Sequence, residues 1–213
     1  MQNLIPVIII ILYTLFFIKN QKLSIIGIVF LLPTYLVRLS IFNIPTTLLE
    51  LMILGIMFGF IIKTVKNRTD VKFFNLFIPI SLFFISGFIS TKVADNSISA
   101  LGILKAYIIE PIIFFLIFIN TFNTKKELEV VVKTLGCTVI YLSIYAIFQK
   151  ITGIGIGTDD PSWINEKTRR VTSLFPYPNA LGLFIAPVVT MFLFRVVTKF
   201  QISNFKIILK ISF

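Results

Sequence analysis

Histidine is absent from this 213-residue sequence, and cysteine occurs once, at Cys137. Without histidine the sequence holds no Ser-His-Asp triad, no Cys-His pair and no His-type zinc site. A lone cysteine excludes an internal disulfide and a CxxC pair; inside an apolar run it reads as a small packing residue. No metal and no cofactor is expected. Charge is also scarce, at 14% of residues, against about 25% in soluble domains. Acidic residues are scarcest: nine against twenty basic, for a net charge of +11. In a soluble protein that excess would suggest nucleic acid. Here the basic residues sit in short turns between apolar runs, with no basic amphipathic surface, so nucleic acid is not an expected partner. There is no repeat of about 20–50 residues and no low-complexity linker, which makes a single transmembrane domain over 1–213 the expectation.

What fills the sequence is apolar: 57% hydrophobic residues, with a mean hydropathy of +0.98. A helix needs about 17–25 such residues to cross a bilayer. Seven runs come close, at 4–18, 23–42, 46–62, 73–90, 106–122, 135–150 and 180–197, and an eighth begins at Ile207. The fold class expected is all-α, a polytopic membrane bundle of about seven complete transmembrane helices plus a truncated eighth. Pro33, Pro79, Pro111 and Pro187 are expected to kink helices rather than end them. The first run has no preceding basic residue and no small-residue cleavage site after it, so it reads as a retained helix, not a signal peptide.

The turns divide unequally. Those at 19–22, 63–72, 125–133 and 195–210 hold thirteen Lys and Arg. The alternate set holds seven: Arg38, Lys92, Lys105, Lys150, Lys167, Arg169 and Arg170. The positive-inside rule puts the richer set in the cytoplasm, and the N-terminus and the loop 152–179 outside. Arg38, Glu50, Lys105, Glu110 and Lys150 then fall toward outer helix ends, where charges cost less and long side chains snorkel. Arg38 and Glu50 are expected to pair across the short turn between them. Two readings of this group stay open. It could be pairing for helix packing, or a polar pocket open to the outer leaflet in which Arg38 and Lys105 contact substrate.

Some strings carry little. Asn67-Arg68-Thr69 has the form of a glycosylation sequon but lies in a basic turn on the cytoplasmic side. The glycines at 153, 155 and 157 follow a membrane helix rather than a strand, so they read as a hinge, not a phosphate loop. Glu127 and Glu129 precede Lys133 as ordinary surface pairing.

The stretch 159–182, DDPSWINEKTRRVTSLFPYPNALG, is the one long run that is neither apolar nor a short basic turn. Asp160-Pro161 has the form of an N-cap with proline at the first helical position, predicting a short helix to about Thr168. Trp163 gives that helix an interfacial edge. Pro176 and Pro178 then break regular structure, and Asn179 is expected to cap the next membrane helix. Arg169 and Arg170 stand near that helix start. Helix N–H groups and guanidinium forks together suit phosphate oxygens. The bland alternative is that both arginines meet lipid headgroups or pair with Asp159, Asp160 or Glu166.

The string Arg170-Val-Thr-Ser-Leu-Phe-Pro-Tyr-Pro-Asn179-Ala-Leu-Gly182 resembles the outer-loop motif of the bacterial O-antigen ligase and O-antigen polymerase family. Ser99-Ala-Leu-Gly-Ile-Leu-Lys105-Ala-Tyr-Ile-Ile-Glu110-Pro111 is similar to a second segment of that family, in the expected order and on the same face. The resemblance covers roughly 20–213. It implies a polytopic protein of the bacterial plasma membrane with a part in lipopolysaccharide or other polysaccharide biosynthesis. It implies glycosyltransferase-like, metal-independent transfer of a glycan from undecaprenyl pyrophosphate to a lipid, protein or glycan hydroxyl. The partners it implies are that donor, the acceptor and membrane lipids. Arg170 carries across as the first pyrophosphate arginine, with Arg169, Asn179 and Lys105 as substrate contacts. The family's later loop, second Arg and His are not in this sequence, so the expectation is the N-terminal portion of such an enzyme. A non-enzymatic polytopic membrane protein, a transporter or glycan-export accessory subunit, stays open beside it.

Overall fold

The structure, a computed structural model, describes residues 4–41, 44–68, 71, 76–156, 165 and 169–211, and for 198–211 the backbone alone. It divides into two compact units, Met1–Val132 and Lys133–Phe213. The first holds α1 (Leu4–Lys19), α2 (Gln21–Phe30), a 3-10 turn (Leu32–Leu36) and strands β1 (Arg38–Ile41) and β2 (Ile44–Thr47). After these come α3 (Leu48–Asn67), α4 (Phe77–Val93), α5 (Ser97–Leu104), a π-turn (Lys105–Ile109) and α6 (Glu110–Thr121). Helix α7 (Lys125–Thr152) runs across the boundary, and α8 (Pro178–Ile211) lies in the second unit.

The described fold is helical apart from one hairpin. Four stretches are long and apolar enough to cross a membrane: Leu48–Asn67, Ser97–Thr121, Lys125–Thr152 and Pro178–Val197. Leu4–Lys19, Gln21–Phe30 and Phe77–Val93 are apolar but shorter. Four of the seven expected crossings thus reach spanning length as helices. Their outward faces suit lipid: Ile140 is 59% exposed and Leu183 73%.

Two expected boundaries change. The run 23–42 is not one helix. Pro33 has no N–H for the helical ladder, and its ring crowds the carbonyl four residues back. The helix therefore stops at Phe30 and tightens into the 3-10 turn, where Thr34 Oγ1 donates to the Leu31 carbonyl (2.7 Å). The chain then forms an antiparallel hairpin that pairs Arg38 with Thr47 and Ile41 with Ile44. Pro79 in the first turn of α4 and Pro187 within α8 leave their helices unbroken. The second change is at the C-terminal side. Helix α8 continues through the expected turn at 195–210 to Ile211, so no separate eighth helix starts at Ile207.

In the first unit α1 and α3 run parallel. Gly55 lies against Ile10, Tyr13 and Thr14, and Gly59 against Phe17. Gly55-x-x-x-Gly59 is the small-residue spacing that lets membrane helices approach closely. Thr14 Oγ1 reaches the Gly55 carbonyl at 3.0 Å and its own Ile10 carbonyl at 2.8 Å. A Cβ on Gly55 would stand 2.6 Å from Tyr13 Cβ and 3.0 Å from the Ile10 carbonyl oxygen. Gly55→Ala is therefore expected to destabilise by about 1–3 kcal/mol, the usual cost of overpacking. Gly102→Ala meets nothing within 4 Å and should be neutral or stabilising by a few tenths of a kcal/mol to about 1. Thermal unfolding of the two variants in detergent compares them; equal midpoints would remove the close-packing account.

Lys22 pairs with Glu127 at 2.5 Å. Glu127 also accepts the Thr124 N–H (3.1 Å), while Thr124 Oγ1 accepts the Glu127 N–H (3.3 Å). This reciprocal box starts α7, so Glu127 is committed to Lys22 and the helix start rather than to Lys133. The bridge ties the α1–α2 turn to the start of α7. With α1 and α3 parallel, the ends bearing Lys19, Lys22, Lys63 and Lys66 gather at one end of this unit. The hairpin and Glu50, in the first turn of α3, lie at the other.

Candidate functional site

Thr47 caps α3, its Oγ1 accepting the Glu50 N–H at 3.2 Å. Glu50 is the third residue of the helix, where a carboxylate is favoured by the dipole. The residue is only 8% exposed. Glu50 Oε2 accepts from Thr46 Oγ1 (2.7 Å) and from Lys105 Nζ (2.8 Å). Lys105 Nζ also donates to the Pro45 carbonyl at 3.0 Å. Lys105 opens the π-turn, in which the Glu110 N–H bonds back to the Lys105 carbonyl. Pro111 explains the widening: it has no N–H to give the ladder and its ring would press on the carbonyl of Tyr107. Glu110 lies within electrostatic reach of both Glu50 and Lys105.

The Arg38–Glu50 ion pair expected from the sequence is not formed. Among the described residues the ion pairs are Lys22–Glu127 and Lys105–Glu50. The reason is the hairpin. Side chains alternate along a strand, so Arg38, opposite Thr47, lies on the face away from Thr46, which turns to Glu50. Arg38 is exposed.

In the second unit the end of α7 and the segment Arg169–Tyr177 are laced together. Arg169 Nη1 donates to the carbonyls of Lys150 (2.7 Å) and Ile151 (3.0 Å), and Lys150 Nζ donates to the Arg169 carbonyl (2.8 Å). A cation on the last carbonyls of a helix satisfies orphan acceptors and complements the dipole. Gly153 and Gly155 follow with φ of +73° and +76°. There a side chain would be strained, and a Cβ on Gly153 would sit 2.9 Å from the Arg169 guanidinium. The expected hinge is thus a pinned turn at Gly153–Gly155: Gln149 Nε2 holds the Gly155 carbonyl at 2.6 Å.

Arg170 is exposed, and its Nη2 reaches Asn179 Oδ1 at 3.4 Å, a long contact. Asn179 does not cap α8 as expected. The helix already begins at Pro178, whose fixed φ and missing N–H suit the first position. Asn179 is the second helical residue, and its carboxamide faces Arg170 instead. An anion at this point would meet a guanidinium fork, a carboxamide and the positive end of a long helix.

The structure thus brings Arg170 and Asn179 together, turns Arg169 onto α7, engages Lys105 with Glu50, and sets Arg38 on the hairpin's outer face. Of the expected short helix from Pro161 to Thr168 only Asn165 is among the described residues; Trp163, Asp159 and Asp160 lie outside them. Gln149 is not marked as a site residue by the sequence, whose one signal for it is a lone carboxamide in the last turn of an apolar helix. Compared with family models, with curated proteins and with solved structures, the chain matches none.

Proposed function

We propose that this chain is a membrane glycan-transfer protein of ligase or polymerase type. It takes a glycan from undecaprenyl pyrophosphate and joins it to an acceptor hydroxyl at the outer face of the bacterial plasma membrane. The observation that carries the reading is Arg170, exposed beside Asn179 at the start of α8, in the string that resembles the O-antigen ligase and polymerase outer loop. In the transfer, the acceptor oxygen attacks the anomeric carbon from the face opposite the leaving group. The bond from that carbon to the pyrophosphate oxygen breaks, undecaprenyl pyrophosphate leaves with its electron pair, and the acceptor's hydroxyl proton passes to water. Arg170 would offset the negative charge growing on that oxygen, an electrostatic role that needs no metal. Arg169 supports it indirectly, by holding the loop to α7.

A second reading, a non-enzymatic transporter or glycan-export accessory subunit, draws on Glu50, Lys105 and Glu110 among apolar helices. Deleting the gene separates the two. The transfer reading expects the polyprenyl-linked glycan to accumulate outside while the acceptor stays unmodified. Accumulation on the cytoplasmic side would favour transport, and unchanged carrier and acceptor pools would sink the transfer reading.

Orientation has its own check. In a Cys137→Ala background, an impermeant maleimide is expected to modify Leu174→Cys in intact cells, and Val65→Cys only after permeabilisation. Both positions are exposed, at 50% and 73%. The reverse pattern would put Arg170 on the cytoplasmic side and remove it from this chemistry.

A further inference from the structure

Gln149, in the last turn of α7, is 0% exposed. Its carboxamide makes four hydrogen bonds. Nε2 donates to the carbonyls of Gly155 (2.6 Å) and Ser173 (2.9 Å), and Oε1 accepts the N–H groups of Thr172 (3.1 Å) and Ser173 (2.7 Å). Two donors and two acceptor sites are all that a primary amide has. Ser173 stands at φ +52°, a left-handed conformation uncommon outside glycine. That backbone turns two successive N–H groups toward one oxygen, as in an anion-binding nest. Gln149 fills the nest with its own neutral oxygen. Ser173 Oγ adds a bond to the Leu142 carbonyl at 2.8 Å.

We propose that Gln149 is a positioning residue that aims Arg170 at the start of α8. The inference rests on the reading of Arg170 as a pyrophosphate contact. Val171 alone separates Arg170 from the locked Thr172–Ser173 pair. On the other side Arg169 is bonded to the carbonyls of Lys150 and Ile151. The Arg170 backbone is therefore held from both directions by the end of α7. A guanidinium on a fixed backbone loses less freedom when it binds, which strengthens the contact without adding a bond. Because Gln149 occupies the nest, those two N–H groups do not compete with Arg170 for an anion. Glutamate could accept the two N–H groups but would turn a carboxylate toward two carbonyls, and methionine fills the space with no hydrogen-bond donor.

The test is a double-mutant cycle on the chain in lipid nanodiscs, with undecaprenyl pyrophosphate as the binding probe. Gln149→Met is expected to weaken binding about tenfold when Arg170 is present, and to have no further effect on Arg170→Ala. A residue that merely stabilises the fold would weaken both backgrounds equally, and that result, or no loss at all, overturns the proposal. Where Gln149→Met does not fold, the isosteric Gln149→Glu repeats the cycle with the same expectations. If Arg170→Ala itself bound the probe as tightly as the wild type, the pyrophosphate reading would fall and the positioning role with it. Equal losses beside a damaging Arg170→Ala would remove the positioning role alone.

Discussion

Arg170→Ala is expected to lower glycan transfer by about 10²–10³-fold, equivalent to about 2.7–4 kcal/mol, the scale of losing one oxyanion-hole donor. Arg170→Lys should fail as well, because an ammonium cannot reproduce the planar bidentate fork. Arg169→Ala should behave differently. Its guanidinium bonds the carbonyls of Lys150 and Ile151, so its loss should cost stability, about 1 kcal/mol at this partly exposed place. Transfer per folded molecule should fall far less than in Arg170→Ala, because Gln149 still holds the other side of the segment. Transfer from the polyprenyl carrier, measured with thermal unfolding of the same variants, separates the two arginines. Wild-type transfer by Arg170→Ala beside abolished transfer by Arg169→Ala would reverse the assignment. Were both silent in transfer, the loop would be structural, and the non-enzymatic reading would gain.

Lys105→Met is expected to destabilise the first unit strongly. It leaves Glu50, with 11% of its side chain exposed, charged among apolar neighbours with Thr46 as its remaining side-chain donor. Breaking a fully buried pair costs about 3–5 kcal/mol. Lys105 is 35% exposed, so water relieves part of this, and about 2–3 kcal/mol is expected. Glu50→Gln combined with Lys105→Met should recover much of the loss, since the buried Glu50 carboxylate is then no longer left without its ammonium, while Glu110 still loses the nearby Lys105 cation. Equilibrium unfolding in mixed detergent measures both. If Lys105→Met were neutral, or the double variant as unstable as the single, the pair would not be holding the hairpin to the helices. Arg38→Met, on the other face of the hairpin, should change stability by no more than about 0.5 kcal/mol.

The helix content followed from composition. So few charges in such an apolar chain leave helices as the way to satisfy the backbone in lipid, so 4–18, 106–122 and 135–150 each fell on helix. The region 23–47 misled because hydropathy carries no direction. An apolar run reads alike whether it continues as helix or turns into a strand, and Pro33 with Pro45 marked the change only weakly. Gly55-x-x-x-Gly59 was visible in the sequence as spacing, but its partner helix was not. Basic residues at 195–210 look like a turn in the sequence, yet charged residues on a long helix can stay helical beyond an apolar stretch, as α8 does to Ile211.

The sequence by itself determined that this is a chain of apolar helices, without histidine chemistry, whose one long polar stretch carries Arg169 and Arg170. Those properties are sums over residues and need no knowledge of neighbours. Only the tertiary structure decided that Glu50 takes Lys105 rather than Arg38, that Arg169 folds back onto α7 while Arg170 reaches Asn179, and that Gln149 binds a segment 23 and 24 residues away. A hydrogen bond depends on distance and direction between groups far apart in the chain. The alternation of one strand and the left-handed turn at Ser173 set those directions here.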